Sequence, residues 1–334
     1  MENSQEKLSV IVHAIRHRAD LIGETQVYRM FNGFYEGIPD LVIDRYGPAL
    51  VIFNHTESGA LEGITDEIAG WALEYLEGVG AVLLKKRQHP VEDIRNGVLI
   101  AGESLPETVI EYGVHYALDL KMNQDASFYP DTRELRRWLR TNGAGKRMLN
   151  TFAYTGSLGM AAGAGSAAQV VQTDLNRRFL SLAERSWQLN ELAQDKCEII
   201  AGDFFRVAAR LRHADALFDL VILDPPFFST TDAGKVDLEG GMTRLINKVR
   251  PLIAHEGILV VVNNALYVSG ESYIAELDSL CEIPYLEFEG IIPIPPDVTG
   301  YPETVVDAPP VDPAPFNHPT KIALLRAFRK DERK

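Results

Sequence analysis

The sequence predicts an α/β protein: a parallel sheet of five strands closed by an antiparallel pair, preceded by a smaller α+β module. Three observations predict it. From about residue 146, near-continuous apolar runs alternate with amphipathic stretches, the pattern of a parallel sheet covered on both faces. The last two strand-like runs are joined by a stretch holding nine of the chain's 18 prolines, too proline-rich for a crossover helix. Residues 25–122 instead read as strands, turns and one helical pattern. The expected boundaries are 1–24 for an N-terminal extension, 25–122 for the small domain and 123–334 for the α/β domain.

Each element has its own warrant. "DLVIDRYGPALVIFNH" (40–55) reads as strand, Tyr-Gly-Pro turn and strand. Residues 64–80 place Ile64, Ile68, Trp71, Leu73, Tyr75 and Leu76 near helical spacing, with Gly78 near the end. "AVLLKK" (81–86) returns as a strand, and 108–120 alternates about a Tyr-Gly turn as a hairpin. The parallel strands are expected at 147–152, 169–174, 197–203, 218–224 and 257–264, and the antiparallel pair at 285–294 and 321–328. The clearest helix, 176–192, puts Phe179, Leu182, Ala183 and Leu189 on one side. The proline-rich segment 293–319 is expected to shape a substrate entrance, with "FNHP" (316–319) as its contact point.

Composition narrows the function. A net charge of −14 argues against broad, non-specific nucleic-acid binding, which depends on phosphate neutralisation. Cys197 and Cys281 are the only cysteines, so no disulfide framework or cysteine zinc cluster is expected. The first residues lack a signal-peptide pattern and no apolar run is long enough to span a bilayer, so a cytoplasmic protein is expected. A homodimer is left open.

In open α/β sheets ligands sit at the carboxyl ends of the strands. After the first strand, Gly156 lets the backbone approach a ligand, and Thr155 or Ser157 is a candidate cap for the next helix. The second strand ends at Asp174, where a ribose diol is held in many such folds, or where a helix is capped. The third ends in Asp203-Phe204, an acid and a ring suited to an adenine, or again a cap. The fourth ends in Asp224-Pro225-Pro226-Phe227-Phe228. Its prolines remove N–H donors and leave carbonyls to accept from a base amine, with an aromatic to stack on a displaced base. A plain Pro-Pro turn with core rings is the bland alternative.

Together these residues resemble the RlmI/RlmK group of bacterial 23S rRNA methyltransferases, over about residues 25–330. "RMFNGFYEGIPDLVIDRYG" (29–47), "SFYPDTR" (127–133), "LNTFAYTGS" (149–157) and "LDPPFFS" (223–229) carry the resemblance in order. It implies the Rossmann-like class I methyltransferase sheet and S-adenosyl-L-methionine as cofactor. The implied cofactor site is Tyr129, Asp131, Arg133, Tyr154, Gly156, Asp174, Asp203, Phe204 and Asp224. The implied reaction lip is Asp224, the Pro225 carbonyl and Phe228. Within the group, the RlmI branch carries an RNA-binding PUA domain ahead of the match, where this sequence has about two dozen residues. The branch forming 5-methylcytosine has a cysteine after the fifth strand, where this chain has Asn263 and Asn264. Without a thiolate to add to the ring, the expected target is a nucleophilic base nitrogen, guanine N7 or an exocyclic amine.

"RELRRWLRTNGAGKR" (133–147) offers an RNA patch from Arg133, Arg136, Arg137, Arg140, Lys146 and Arg147, or a solvated helix face. "LKKRQHP" (84–90) is a smaller cluster of the same kind. His13 and His17 have a metal-like spacing but no evident third ligand, so no metal is expected. The competing readings are a methyltransferase of a small molecule or protein, and a non-catalytic cofactor-binding protein on ribosomes. No glycine fingerprint supports a dinucleotide oxidoreductase.

Overall fold

The structure is a computed structural model and describes residues 4–18, 21, 23, 25–57, 61, 63–282 and 285–330. Part of the expected 1–24 extension lies outside the described residues. The chain divides into two compact units.

The first unit comprises residues 1–131 and 295–309. It contains α1 (Ser4–Arg16), β1 (Val27–Asn32), β2 (Leu41–Tyr46), β3 (Ala49–Asn54), α2 (Ile64–Tyr75), β4 (Ala81–Lys86), α3 (Glu92–Asn96), β5 (Val98–Ala101), β6 (Thr108–Glu111) and β7 (Val114–Ala117). Strands β1 to β5 form one sheet in sequence order, antiparallel except for β3 and β4, which α2 connects in parallel. The expected hairpin is β6–β7, turning through Tyr112 and Gly113 at φ 49° and 78°. Helix α2 is shorter than its apolar pattern. Ile64, Ile68 and Ala72, four residues apart, are its buried face, whereas Leu73 and Tyr75 fall off that face and are exposed.

The structure draws the unit boundary differently from the sequence. Residues 295–309 belong to the first unit because their polar groups are bonded inside it. The buried Asp297 carboxylate accepts from the Arg29 N–H at 2.9 Å, and Val298 O accepts from Asn32 Nδ2 at 2.8 Å. The Thr304 hydroxyl donates to Glu36, which forms a fully buried ion pair with Arg18 at 3.0 Å. Arg18 also donates to Asp297 O.

The second unit comprises residues 132–294 and 310–334. Its elements are α4 (Arg133–Asn142), β8 (Arg147–Thr151), α5 (Ser157–Ala164), β9 (Gln169–Asp174), α6 (Arg177–Leu189), β10 (Cys197–Ala201), α7 (Phe204–His213), β11 (Phe218–Leu223), β12 (Phe228–Thr231), β13 (Gly234–Asp237), α8 (Thr243–Val249), β14 (Ile253–Asn263), α9 (Gly270–Cys281), β15 (Leu286–Ile292) and β16 (Lys321–Ala327). The seven-stranded sheet runs β10-β9-β8-β11-β14-β16-β15. Strands β8 to β11 and β14 pair in parallel, and β16 and β15 close the sheet antiparallel. The strand order reverses between β8 and β11, the switch point at which open sheets leave a crevice.

Helix α6 buries Leu182 and Ala183 of the expected stripe, together with Leu180 and Trp187. Phe179 is only half-buried, and Leu189 is exposed one turn beyond the packed face. The short β12–β13 hairpin after the Pro-Pro turn was not expected from the sequence. Its strands are too short and polar to show an apolar alternation.

Candidate active site

The carboxyl ends of the sheet gather most of the predicted residues of the second unit. After β8 the chain turns through Phe152, Tyr154 and Gly156 at φ 53°, 52° and 75°. Left-handed backbone at two non-glycine residues is strained, and such strain is concentrated at functional sites. The N-cap of α5 is Gly156, so the capping position itself carries no side chain.

Asp174 holds this turn to the end of β9. Its Oδ2 accepts from the Tyr154 N–H at 2.9 Å and its Oδ1 from the Asn176 N–H at 2.9 Å. Burial raises its carboxyl above the ordinary range. The cap of α6 is Asn176, not Asp174, since its side chain accepts from the Arg178 N–H. That leaves Asp174 to brace the turn. Asp203 does cap α7, accepting from the Arg206 N–H at 3.1 Å, and its other oxygen accepts from the Thr231 hydroxyl at 2.6 Å. The hairpin tip is thereby tied to the end of β10. Gly234 at that tip lies against Phe205, which a Cβ would meet at 2.4 Å.

Phe204 departs from its expected role. It is 7% exposed, stacked on Phe152 at 4.6 Å with Phe205 edge-on at 5.1 Å. The first position of α7 falls on the helix's buried face with Val207 and Ala208, so the ring is core rather than an open face for a base.

At the end of β11, Asp224 is half-buried, Pro225 is buried, and Phe227 and Phe228 are 46% and 55% exposed. Phe228 opens β12 and lies 5.0 Å from the Lys235 ammonium. Three further residues lie near this edge, of which sequence reasoning singled out only Asn263. Tyr273 is wholly buried, donates to Val261 O at 3.3 Å, and has its phenol pushed well up by burial, then by Glu276 and Asp224. Asn263, the last residue of β14, is wholly buried, and its Nδ2 has no hydrogen-bond partner. Lys321, paired with Asn263 across β14 and β16, is wholly buried, with its ammonium pushed down to about 8 by burial. An isolated lysine in an apolar strand run carries no signal in the sequence of what it will face.

Tyr129 and Asp131 close the first unit, the former 41% exposed and the latter in a 3₁₀ turn, Pro130–Thr132. Arg133 opens α4 in the second unit and is only 2% exposed.

That burial dismantles the expected basic patch. Arg133 and Arg136 are on the packed face of α4 with Leu135 and Leu139, and Arg136 donates to the Thr132 hydroxyl at 2.7 Å. Arg137 and Arg140 are exposed. Lys146 and Arg147 sit at the amino end of β8, opposite the edge bearing Asp224, and the Arg147 N–H donates to Asp219. The FNHP run is likewise structural: Phe316 packs in the core against Tyr273, and Asn317 exchanges hydrogen bonds with the backbone of Ile294.

Neither cysteine is at this edge as a nucleophile. Cys197 begins β10, at the amino end of the strand, and burial pushes its thiol up to about 11. Cys281 ends α9 and is shifted the same way by burial. Both stay protonated near neutral pH.

Comparison with known proteins adds to this geometry. A family model described as "S-adenosylmethionine-dependent methyltransferase" matches residues 60–308. "Ribosomal RNA large subunit methyltransferase" of Deinococcus radiodurans is 30% identical over 269 residues, 75% of this chain and 62% of that protein. "Ribosomal RNA large subunit methyltransferase I" of Photobacterium profundum is 29% identical over 290 residues, 83% of this chain and 71% of that one. "Ribosomal RNA large subunit methyltransferase K/L" of Pseudoalteromonas translucida is 28% identical over 254 residues, but the chain spans only 35% of its length. Among solved structures, SMU.776, described as a methyltransferase and complexed with SAH, matches with TM-score 0.83 at 20% identity, covering 98% of this chain and 82% of that one.

Proposed function

The chain belongs to the S-adenosylmethionine-dependent methyltransferase family, and from that premise we propose that it methylates a base nitrogen in large-subunit ribosomal RNA. The observation that carries the proposal is the Asp224-Pro225-Pro226 turn at the carboxyl end of β11, with exposed Phe228 beside it and no thiolate available.

The strand ends fit the cofactor. The first turn of α5, whose N-cap is a glycine, offers N–H groups to a carboxylate. Asp174 and Asp203 are the acceptors suited to ribose hydroxyls and an adenine amine, since a carboxylate has about four lone-pair sites and the bonds to Tyr154, Asn176, Arg206 and Thr231 do not fill them. When bound, S-adenosylmethionine supplies an electrophilic methyl group on a sulfonium.

The chain's own part is alignment. The half-buried Asp224 carboxylate and the Pro225 carbonyl accept from N–H groups of the target base, and the Phe228 ring covers its face. A base nitrogen is nucleophilic as it stands, so orientation and exclusion of water carry the rate without a covalent adduct. The names of the relatives support ribosomal RNA as the substrate. What supports a nitrogen, guanine N7 or an exocyclic amine, is that Asn263 and Asn264 rather than a cysteine stand at the end of β14 and that Cys197 and Cys281 lie on other elements.

Nucleoside mass spectrometry of ribosomal RNA from a deletion strain tests this. One modified nucleoside should disappear and return with the wild-type gene but not with Asp224→Ala, while the purified variant keeps its fold and its affinity for S-adenosylhomocysteine. A deletion strain with unaltered ribosomal RNA points to the small-molecule or protein substrate. Restoration by Asp224→Ala refutes the role of the carboxylate.

A further inference from the structure

The proposed RNA substrate needs a surface that grips it, and the basic helix does not supply one, since Arg133 and Arg136 are buried. The reaction edge offers a different surface. Adjacent strands β11 and β14 each end in a segment that exposes large apolar side chains. After β11 these are Phe227 and Phe228, 46% and 55% exposed; after β14 they are Leu266 and Tyr267, 42% and 67% exposed.

Both segments are built rigidly. The hairpin carrying Phe228 is bonded at its tip to Asp203, and the Leu238 N–H closes its base on Phe227 O at 3.1 Å. The turn carrying Tyr267 is held through Ala265. Its N–H donates to Asn263 Oδ1 at 2.9 Å, and its carbonyl accepts from Lys321 Nζ at 3.1 Å. Lys321 also donates to Pro319 O. A wholly buried ammonium and a wholly buried amide are costly to desolvate. Here they fix a turn whose next residues are left exposed in water.

We propose that Tyr267 is a stacking platform for an unpaired base next to the target nucleotide, whose own face Phe228 covers. The partner is a single-stranded segment of RNA, and this rests on the RNA reading above. Stacking suits an acidic chain. Each base presents a π-face that an exposed ring can cover without neutralising a phosphate, and the chain's net charge of −14 leaves little attraction for a polyanion. Lys235, 5.0 Å from the Phe228 ring, is ion-paired with Asp237 at 2.7 Å, so the exposed rings rather than a free cation carry the contact. Lys321 and Asn263 are then positioning residues for Tyr267.

The test is fluorescence anisotropy with a labelled single-stranded oligoribonucleotide of mixed sequence, read across a salt series. Tyr267→Ala should weaken binding about tenfold, the loss of one stacked base, and Tyr267→Phe should restore it. The Arg137→Ala/Arg140→Ala double variant should change binding less than about twofold, with a shallow salt slope of two or fewer released ions, on the order expected when few phosphates are contacted. Tyr267 is so exposed that its replacement leaves the fold intact, which a melt verifies. Unchanged binding by Tyr267→Ala in a protein that binds and methylates RNA overturns the platform and leaves the proposed function standing. A wild-type protein that binds S-adenosylhomocysteine but no RNA overturns both.

Discussion

Replacing Gly156 by alanine tests the turn on which the cofactor site is built. Two costs follow from the structure. At φ 75° an added Cβ crowds its own backbone, about 1–2 kcal/mol. The same Cβ would also meet Ala183 Cβ at 2.3 Å and Gln172 Oε1 at 2.7 Å. Ala183 has no rotamer to yield, and Gln172 is wholly buried and accepts from Asn150, so α5 and α6 must part or the turn must shift. Overpacking of that kind costs about 1–3 kcal/mol. The sum, roughly 2–5 kcal/mol, lowers the melting temperature of a unit this size by about 5–15 °C. Differential scanning fluorimetry with and without S-adenosylhomocysteine reads both effects, and the ligand-induced rise in melting temperature should shrink because the displaced turn no longer presents its N–H groups. The Gly156→Ala/Ala183→Gly pair should recover only the Ala183 share of the packing cost, leaving the Gln172 contact and the backbone part. A single variant melting within about 1 °C of the parent, below the smallest loss allowed by these terms, refutes the reasoning.

Other outcomes follow from neighbouring features. Glu36→Gln leaves Arg18 charged and unpaired inside the first unit, where their side chains are 0% exposed, and should cost about 3–5 kcal/mol in urea unfolding; an unchanged midpoint would show the pair to be dispensable. Thr231→Val removes the bond between the hairpin tip and Asp203. Amide exchange across 228–237 should rise about tenfold, the equivalent of one charge-assisted bond, and a flat exchange map would place the anchor elsewhere. Lys321 gives stability a pH dependence of known sign. Burial puts its folded value at about 8 against 10.5 for the free side chain, so the unfolded chain binds more protons between those values. The stabilising contribution is complete above 10.5 and is lost as pH falls through 8. The urea midpoint should therefore rise from pH 8 towards 10, and Lys321→Met should flatten that rise.

Much of the architecture was legible because it rests on periodicity. Near-continuous apolar runs such as Leu220–Leu223 and Val260–Val262 are buried on both faces and have no other solution in water. The acids at the ends of β9, β10 and β11 were legible for the same reason: a polar residue that ends such a run sits at the sheet edge. What each acid bonds to was not. Asn176 caps α6 in place of Asp174, and Asp203 caps α7 while holding a hairpin tip 28 residues later.

Local pattern by itself determined the alternation of strands and helices, the closing antiparallel pair and the strand ends at which chemistry gathers. These depend on side chains within a few residues of one another. Tertiary structure alone decided that Arg133 and Arg136 face inward, that Phe204 is core, and that 295–309 returns to the first unit through Asp297 and Thr304. It also decided that Lys321, 58 positions from Asn263, shares its strand register. Burial and pairing of a charged group depend on what distant chain segments bring to it, and no spacing rule along the sequence carries that information.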